Sequence, residues 1–206
     1  MGETVSMVTN HPEGFKKASQ TKDRIFTVAT GLFNQKGIEK VTIREICESA
    51  GVAIGTFYLY FESKNAILYD VYRKADEVYE TEQISKRSDL SSHEKILELI
   101  RIQFSIGVML HVEPAAAKQL FVYQLQSDNQ YFLSEDRAFH MQLFAVVEQG
   151  IAEKTIRDDM SAHDIGWRIL RFSRGLLFDW CIHDCTYDLM NFGMKEMQIY
   201  LELFYR

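Results

Sequence analysis

Two prolines and three cysteines are all that this 206-residue chain contains, and each scarcity excludes something. With so little proline, eleven glycines and few β-branched runs, the composition argues against a turn-rich β architecture and for an all-α fold. Cys47, Cys181 and Cys185 are odd in number and follow no framework spacing, which excludes a disulfide scaffold and suits free thiols in a reducing cytoplasm. Cys181 and Cys185 lie one helical turn apart, but other metal ligands are scarce around them. They read as small apolar residues of a buried helix, and no metal or cofactor is expected. No window holds 18 uncharged apolar residues, so no transmembrane helix is expected. No basic region precedes an apolar run near the N-terminus, so no secretory signal is expected either.

Basic charge is also short, since the formal net charge is −6. Taken whole, that argues against a nucleic-acid partner, but the charge is unevenly placed. Residues 14–74 hold ten Lys/Arg against six Asp/Glu, a local +4, while residues 75–206 carry −8. Such asymmetry fits a nucleic-acid module joined to a module with another task.

The helical pattern divides in the same place. Residues 1–20 are polar and aperiodic and read as a flexible arm. A first helix is predicted over about Lys22–Gln35, with Ile25, Val28, Ala29, Leu32 and Phe33 in one stripe, Thr21 as its cap and Gly37 as its stop. Thr42 and Glu45 form a capping box that opens a second helix, with Ile43, Ile46 and Cys47 facing inward. Gly51 permits a sharp turn into a short aromatic helix, about Ala53 to Tyr60. Ser63 caps a fourth helix striped by Ile67, Leu68, Val71, Tyr72 and Ala75. Longer helices follow from Ser91/Glu94 to about Val112, from Pro114 to about Ser127, over Tyr131–Lys154, from Ser161/Asp164 to about His183, and over Asp188–Tyr205. The total is about nine, in three parts: an arm at 1–20, a helix-turn-helix domain at 21–68 and a second helical domain at 69–206.

The short helix is too small and too aromatic for an ordinary core element. Phe57 and Phe61, four apart, would anchor it on the first helix. Gly55, Thr56 and Leu59 would then point away, with Tyr58 and Tyr60 at the flanks offering hydroxyls to phosphates. Lys64 and the amide end of the fourth helix suit another phosphate. Thr42 and Arg44 would hold the opposite wall of a major groove. A symmetric dimer would read two half-sites.

Phe33, Gly37, Thr42, Glu45, Ile46, Ala50, Gly51, Val52, Gly55, Thr56, Phe57, Tyr58, Tyr60, Phe61, Ser63 and Lys64 stand at fixed spacing, and this block resembles the N-terminal domain of TetR-family transcriptional repressors. The detailed likeness covers about residues 22–70; the remainder is similar only in style. The resemblance implies DNA contacts from Thr42, Arg44, Ala53, Ile54, Gly55, Thr56, Tyr58, Leu59, Tyr60 and Lys64. Three positions depart from the common pattern: Ala53 stands where Ser often caps, Ile54 where Lys is common, and Leu59 where His is common.

The resemblance also implies a small-molecule pocket in the C-terminal domain. Its aromatic and Met-rich interior includes Met109, Tyr123, Phe132 and Phe139; the residues expected to line the pocket are Phe104, Phe121, Gln124, Phe144, Trp167, Arg168 and Phe172, with Arg171 a further polar candidate. The last two helices are expected to pair between subunits through Ile165, Ile169, Phe172, Leu176, Leu177, Leu189, Met197, Leu201 and Phe204. The expected function is a cytoplasmic, homodimeric, ligand-responsive DNA-binding transcriptional regulator: a repressor released from a palindromic operator by a small apolar or aromatic effector. The alternatives are a helical enzyme or a protein–protein adaptor without DNA binding. Against an enzyme, His111, His140, His163 and His183 are scattered at no catalytic spacing; against an adaptor stands the +4 segment.

Overall fold

The computed structural model describes residues 12–109, 114–126 and 130–206. The described residues form nine α-helices: α1 Pro12–Lys36, α2 Ile43–Ala50, α3 Ile54–Tyr60, α4 Ala66–Glu82, α5 Ser92–Met109, α6 Pro114–Gln126, α7 Ala138–Ala152, α8 Ala162–Ile182 and α9 Leu189–Leu201. Short 3-10 turns occupy Ile38–Lys40, Ile84–Lys86 and Gln130–Leu133. The chain divides into two compact units, residues 1–67 and 68–206, so the division falls within α4.

In the first unit, α1 starts earlier than predicted. It begins at Pro12, whose missing N–H costs nothing in a first turn, so Thr21 lies inside the helix instead of capping it. Residues 1–11 of the expected arm lie outside the described residues. Ile25, Ala29 and Phe33 are buried along one stripe of α1, against which α2 packs. The helix ends as expected at Gly37, whose N–H donates to the Phe33 carbonyl at 2.8 Å with φ at +77°.

The second unit is built around α5, α7, α8 and α9. α5 packs on α7 and α9, and α8 packs on the same two helices. Ile96, Leu99, Ile100, Leu143, Val146, Val147, Ile165, Ile169, Met197 and Leu201 are buried between them. Ser91 and Glu94 make the full reciprocal cap at the start of α5: the Glu94 N–H donates to Ser91 Oγ at 3.3 Å, and the Ser91 N–H donates to Glu94 Oε2 at 2.8 Å. Ser161 and Asp188 cap α8 and α9 through the N–H groups of Asp164 and Asn191, each at 3.0 Å.

In the second unit, two predicted helices differ. The helix expected over Tyr131–Lys154 is broken: a 3-10 turn ends at Leu133 and α7 starts only at Ala138. The Asp136 N–H donates to Ser134 Oγ at 3.3 Å, a local bond that competes with the helical ladder. Arg137, with extended backbone, turns its guanidinium to Asp76 of α4. The last helix stops at Leu201 instead of about Tyr205. The Arg157 N–H donates to the Phe204 carbonyl at 2.8 Å, and Ile156 bridges to Tyr205, which draws the end of the chain away from the helix axis.

Candidate functional site

The first unit builds a small, rigid stage for α3. Thr42 Oγ1 accepts from the Glu45 N–H at 3.2 Å at the start of α2. Glu45 in turn hydrogen-bonds Lys36 of α1, and that ammonium, aided by the Thr42 backbone, holds the Glu45 carboxyl below its usual range. At the other end of α2, Gly51 adopts the left-handed conformation at φ 62°, and the Val52 N–H reaches back to the Cys47 carbonyl at 3.0 Å. This closure satisfies the end of α2 and aims the chain into α3 after only three residues.

Phe57 and Phe61 are buried, with ring centroids 5.7 Å apart, and the Lys22 ammonium lies 5.3 Å from the Phe61 ring. Full burial of one such ring contributes about 1.5–3 kcal/mol, enough to fix the rotation of a two-turn helix. With that side anchored, Ala53, Ile54, Gly55, Tyr58 and Leu59 are exposed together, Leu59 at 80%, Tyr58 at 54% and Ile54 at 49%. Thr56 and Tyr60 are half-buried at the flanks. The face is therefore rotated relative to the predicted one: Tyr58 stands on the open face and Thr56 beside it. A Cβ added at Gly55 would meet nothing within 4 Å, so the backbone there lies bare. Ala53 provides no side-chain cap to α3, as its identity foretold. Thr42 and Arg44 are exposed, and Arg44 pairs with Glu48 one turn on at 2.9 Å.

Lys64, expected at a phosphate, has partners within its own unit. Its ammonium donates to the carbonyls of Ile38 at 2.7 Å, Val41 at 3.1 Å and Glu39 at 3.3 Å. An ammonium has three donors, and two carbonyls of the 3-10 turn and that of Val41 just after it take them. Lys64 thus ties the entry of α4 to the segment before α2.

In the second unit, the structure does not bring the seven expected pocket residues together. Phe104 is buried with its ring against Gly193 of α9, where a Cβ would come within 2.8 Å of it. Phe172 stacks on Tyr200 of α9 with centroids 4.0 Å apart, and Arg168 is exposed. These three belong to the packing of α9 and to the surface. Phe144 and Trp167 meet each other with centroids at 6.0 Å, Phe121 of α6 meets Phe178 of α8 at 6.2 Å, and all but Phe178 are only half-buried. The side chains of Met109, Tyr123 and Phe132, and all of His111, lie outside the described residues.

Polar residues gather between α4, α6, α7 and α8; of these the sequence singled out Gln124 and His140, and did not mark Asp76, Tyr131, Arg137 and Arg174. Asp76 accepts from Arg137 at 2.9 and 3.2 Å, and both are buried. Tyr131 donates to the same carboxylate, and Gln124 hydrogen-bonds the Tyr72 hydroxyl. Arg137 lies over the Tyr131 and Tyr72 rings at 4.9 and 5.6 Å. His140 is fully buried; its Nδ1–H donates to the Ser134 carbonyl at 2.6 Å, which leaves Nε2 to accept from Arg174 Nη2 at 2.9 Å. Burial, and after it the charges of Arg137 and Arg174, push the His140 pKa down to about 4. Arg137 and Arg174 had no sequence signal beyond standing among apolar helix positions, and their partners are 34 to 61 positions away.

Of the expected subunit stripe, Phe172, Leu176 and Leu177 are half-buried. Ile165, Ile169, Leu189, Met197, Leu201 and Phe204 are buried in the protomer's own core. The apolar residues left open on the last two helices are Phe178 and Ile182 of α8, with Phe192 and Ile199 of α9 and Leu203 just beyond it. The period was read correctly, but both faces of these helices are apolar, and composition could not say which one the core takes.

An exposed face on a short helix, set behind a capped helix and a left-handed glycine turn, is the arrangement of a helix-turn-helix domain. Residues 25–71 match the family model of bacterial regulatory proteins of the tetR family. The uncharacterized HTH-type transcriptional regulator YvdT of Bacillus subtilis is 43% identical over 53 residues, 26% of this chain and 27% of that protein. The chain thus spans about a quarter of that relative. The HTH-type transcriptional repressor KstR2 of Rhodococcus jostii is 22% identical over 79% of this chain and 80% of its own length. In three dimensions, the transcriptional regulator FadR of Bacillus subtilis, solved with stearoyl-CoA, superposes with a TM-score of 0.64 at 22% identity, covering 85% of this chain and 96% of that one, which shows a shared fold. Residues 25–71 are thus similar to the tetR family of bacterial regulatory proteins, and the chain shares the fold of the solved regulator. These relatives are named as transcriptional regulators. Among the described residues, no helix is long and apolar enough to cross a membrane.

Proposed function

We propose that the protein is a homodimeric repressor that binds a palindromic DNA operator and leaves it when a small effector with an apolar or aromatic body enters the second unit. The single observation that carries the reading is the bare face of α3. Ile54, Gly55, Tyr58 and Leu59 are exposed side by side on a helix whose other side is locked by Phe57 and Phe61. Exposing two large apolar side chains and a tyrosine on one short helix costs solubility and is offset by a partner surface. Leu59 suits a thymine methyl, and the Tyr58 hydroxyl suits a phosphate. Thr56, Tyr60, Thr42, Arg44 and Ala53 border that face; Lys64 supports it from behind.

One such unit reads few base pairs, so affinity and register call for two. The exposed apolar stripe of Phe178, Ile182, Phe192, Ile199 and Leu203 supports pairing through the last two helices. For the effector, the half-buried Phe121, Phe144 and Trp167 support an apolar or aromatic body, and the likeness to FadR, solved with stearoyl-CoA, points the same way. The effector would lower operator affinity through its preference for one of two conformers.

The test is a gel-shift titration with DNA from upstream of the protein's own coding sequence. Replacing Tyr58 by Ala is expected to weaken binding at least tenfold while the dimer, followed by sedimentation, stays intact. Undiminished binding by Tyr58→Ala would remove α3 from the interface.

A further inference from the structure

Cys181 and Cys185, one helical turn apart in the sequence, meet at the C-terminal end of α8. The helix closes there with two returning bonds. The Cys185 N–H donates to the Trp180 carbonyl at 2.8 Å, and the Asp184 N–H donates to the Cys181 carbonyl at 3.2 Å. Such a closure needs one left-handed residue, here Asp184, where glycine is usual. The chain adopts two in succession, Asp184 at φ 55° and Cys185 at φ 56°. A short polar side chain eases the first, but cysteine has no special tolerance for the second. The outcome is that Cys185 turns back over the last turn of α8, where the Cys181 S–H donates to its sulfur.

The two thiols are unlike. Cys181 is buried, on a side of α8 within electrostatic reach of Tyr72 on α4 and Lys118 on α6, while Cys185 is half-buried. Lys118 also pairs with the exposed Asp184 between them, and Tyr187 stands just beyond. The Cys181 S–H and the Lys118 ammonium favour a Cys185 thiolate, but burial outweighs both and holds that thiol above its usual range. Burial pushes Cys181 further, up to about 12. Cys185 is therefore the sulfur that ionises first. Among the described residues, no group of three or more His, Cys, Asp or Glu side chains is placed to hold a metal ion, so the pair is left to react with itself.

We propose that Cys181 and Cys185 form a reversible thiol–disulfide site at the end of α8, oxidised by a hydroperoxide, with Cys185 as the attacking sulfur and Cys181 as the resolving one. The Cys185 thiolate attacks one oxygen of the hydroperoxide and the O–O bond breaks. The other oxygen leaves as hydroxide or alkoxide and takes up a proton, and Cys185 becomes a sulfenic acid. The Cys181 sulfur then attacks the Cys185 sulfur, the S–S bond forms, and the sulfenic hydroxyl departs with the Cys181 proton as water. Two thiols and one hydroperoxide thus give one disulfide, one alcohol (or water) and one water. The two electrons lost by the sulfurs are those that break the O–O bond. Because the sulfurs already touch, the second step is local and outruns further oxidation of Cys185. The site does not depend on what the protein binds.

The experiment treats the full-length protein with hydrogen peroxide and counts thiols by alkylation, digestion and mass. The wild type is expected to lose two of its three thiols, those of Cys181 and Cys185, and to regain both with dithiothreitol, while buried Cys47 of α2 keeps its own. Cys181→Ser is expected to stop at the sulfenic acid of Cys185, captured by dimedone. Cys185→Ser is expected to slow oxidation of Cys181 at least tenfold. The wild-type rate should rise about tenfold from pH 7 to pH 8, since the thiolate attacks and its fraction grows by that factor below the pKa. Loss of no thiol, reaction of Cys47 as fast as the pair, bonds between chains in place of the internal one, or a rate flat with pH would overturn the proposal. So would a dimedone adduct on Cys181 in Cys185→Ser with none on Cys185 in Cys181→Ser. The wild-type count and its pH profile need no variant, so a misfolded serine variant leaves the question decidable.

Discussion

The two units hold their polar groups together in opposite ways. In the first, the caps and pairs around α3 run over three or four residues, Thr42 to Glu45, Ser63 to Ala66 and Arg44 to Glu48, with Lys36 to Glu45 and Lys64 to the Ile38, Glu39 and Val41 carbonyls as the longer ties. The groups they use are at or near the surface, and the buried residues are almost all apolar. In the second, Asp76 meets Arg137 61 positions later, Gln124 meets Tyr72 52 positions earlier, and Arg174 meets His140 34 positions earlier. There the polar groups are inside. The first arrangement presents a fixed surface, and the second encloses charge.

The widest gap between the units should appear when a carboxylate–guanidinium pair is broken in each. Asp76→Ala leaves Arg137 buried without its carboxylate, and a loss of about 3–5 kcal/mol is expected in denaturant unfolding. Removing Arg44, whose partner Glu48 is exposed, should leave stability unchanged within error. Should Asp76→Ala cost no more than the Arg44 change, the buried pair would not be what separates the units. A paired replacement of Asp76 and Arg137 by apolar residues of similar volume sharpens the point. It should recover most of the loss, because the cost lies in the orphaned charge.

The next effect depends on pH. Unfolded His140 titrates near 6.5, and folded His140 at about 4, chiefly because burial disfavours its charged form. As pH falls, the unfolded chain takes the proton first. The stabilisation is therefore present in full above pH 6.5 and is lost progressively down to pH 4, by up to about 3 kcal/mol. His140→Gln removes this contribution. The gap in unfolding free energy between the wild type and His140→Gln should narrow between pH 7 and pH 4. A constant gap would mean that His140 is not held neutral.

How legible each unit was follows from the same contrast. The capping box at Thr42, the glycine turn at Gly51 and the anchors Phe57 and Phe61 declare themselves within a few letters, because the physics that needs them is local. Lys64 shows the limit even there. Its three carbonyl partners lie 23 to 26 positions earlier, and from the sequence it read as a phosphate contact. In the second unit, periodicity found most helices, but the break at Ser134–Arg137 depends on Asp76 of α4, which no nearby letter announces. Phe104 and Phe172 read as pocket residues because aromatic letters are the same in a pocket and in a core. Their places were settled by Gly193 and Tyr200, which admit or stack on those rings from another helix.

The smallest effect tests the local side of the comparison by improving it. α3 begins at Ala53, whose backbone has the extended conformation of a helix cap, at φ −73° and ψ 152°, but whose methyl accepts no hydrogen bond. Ala53→Ser puts an acceptor oxygen where the N–H groups of the first turn of α3 need one. A gain of about 1 kcal/mol is expected, read as slower hydrogen exchange across α2 and α3 and as a raised unfolding midpoint. The second unit should not respond, since the cap touches only its own helix. Ala53 also borders the exposed face, so the same variant reports on function: faster operator dissociation with a more stable α3 would mean that the bare methyl meets the DNA. An unchanged exchange pattern would mean that the first turn of α3 is already held by something other than its cap, and the rule that local chemistry governs the first unit would fail at the element that matters most to it.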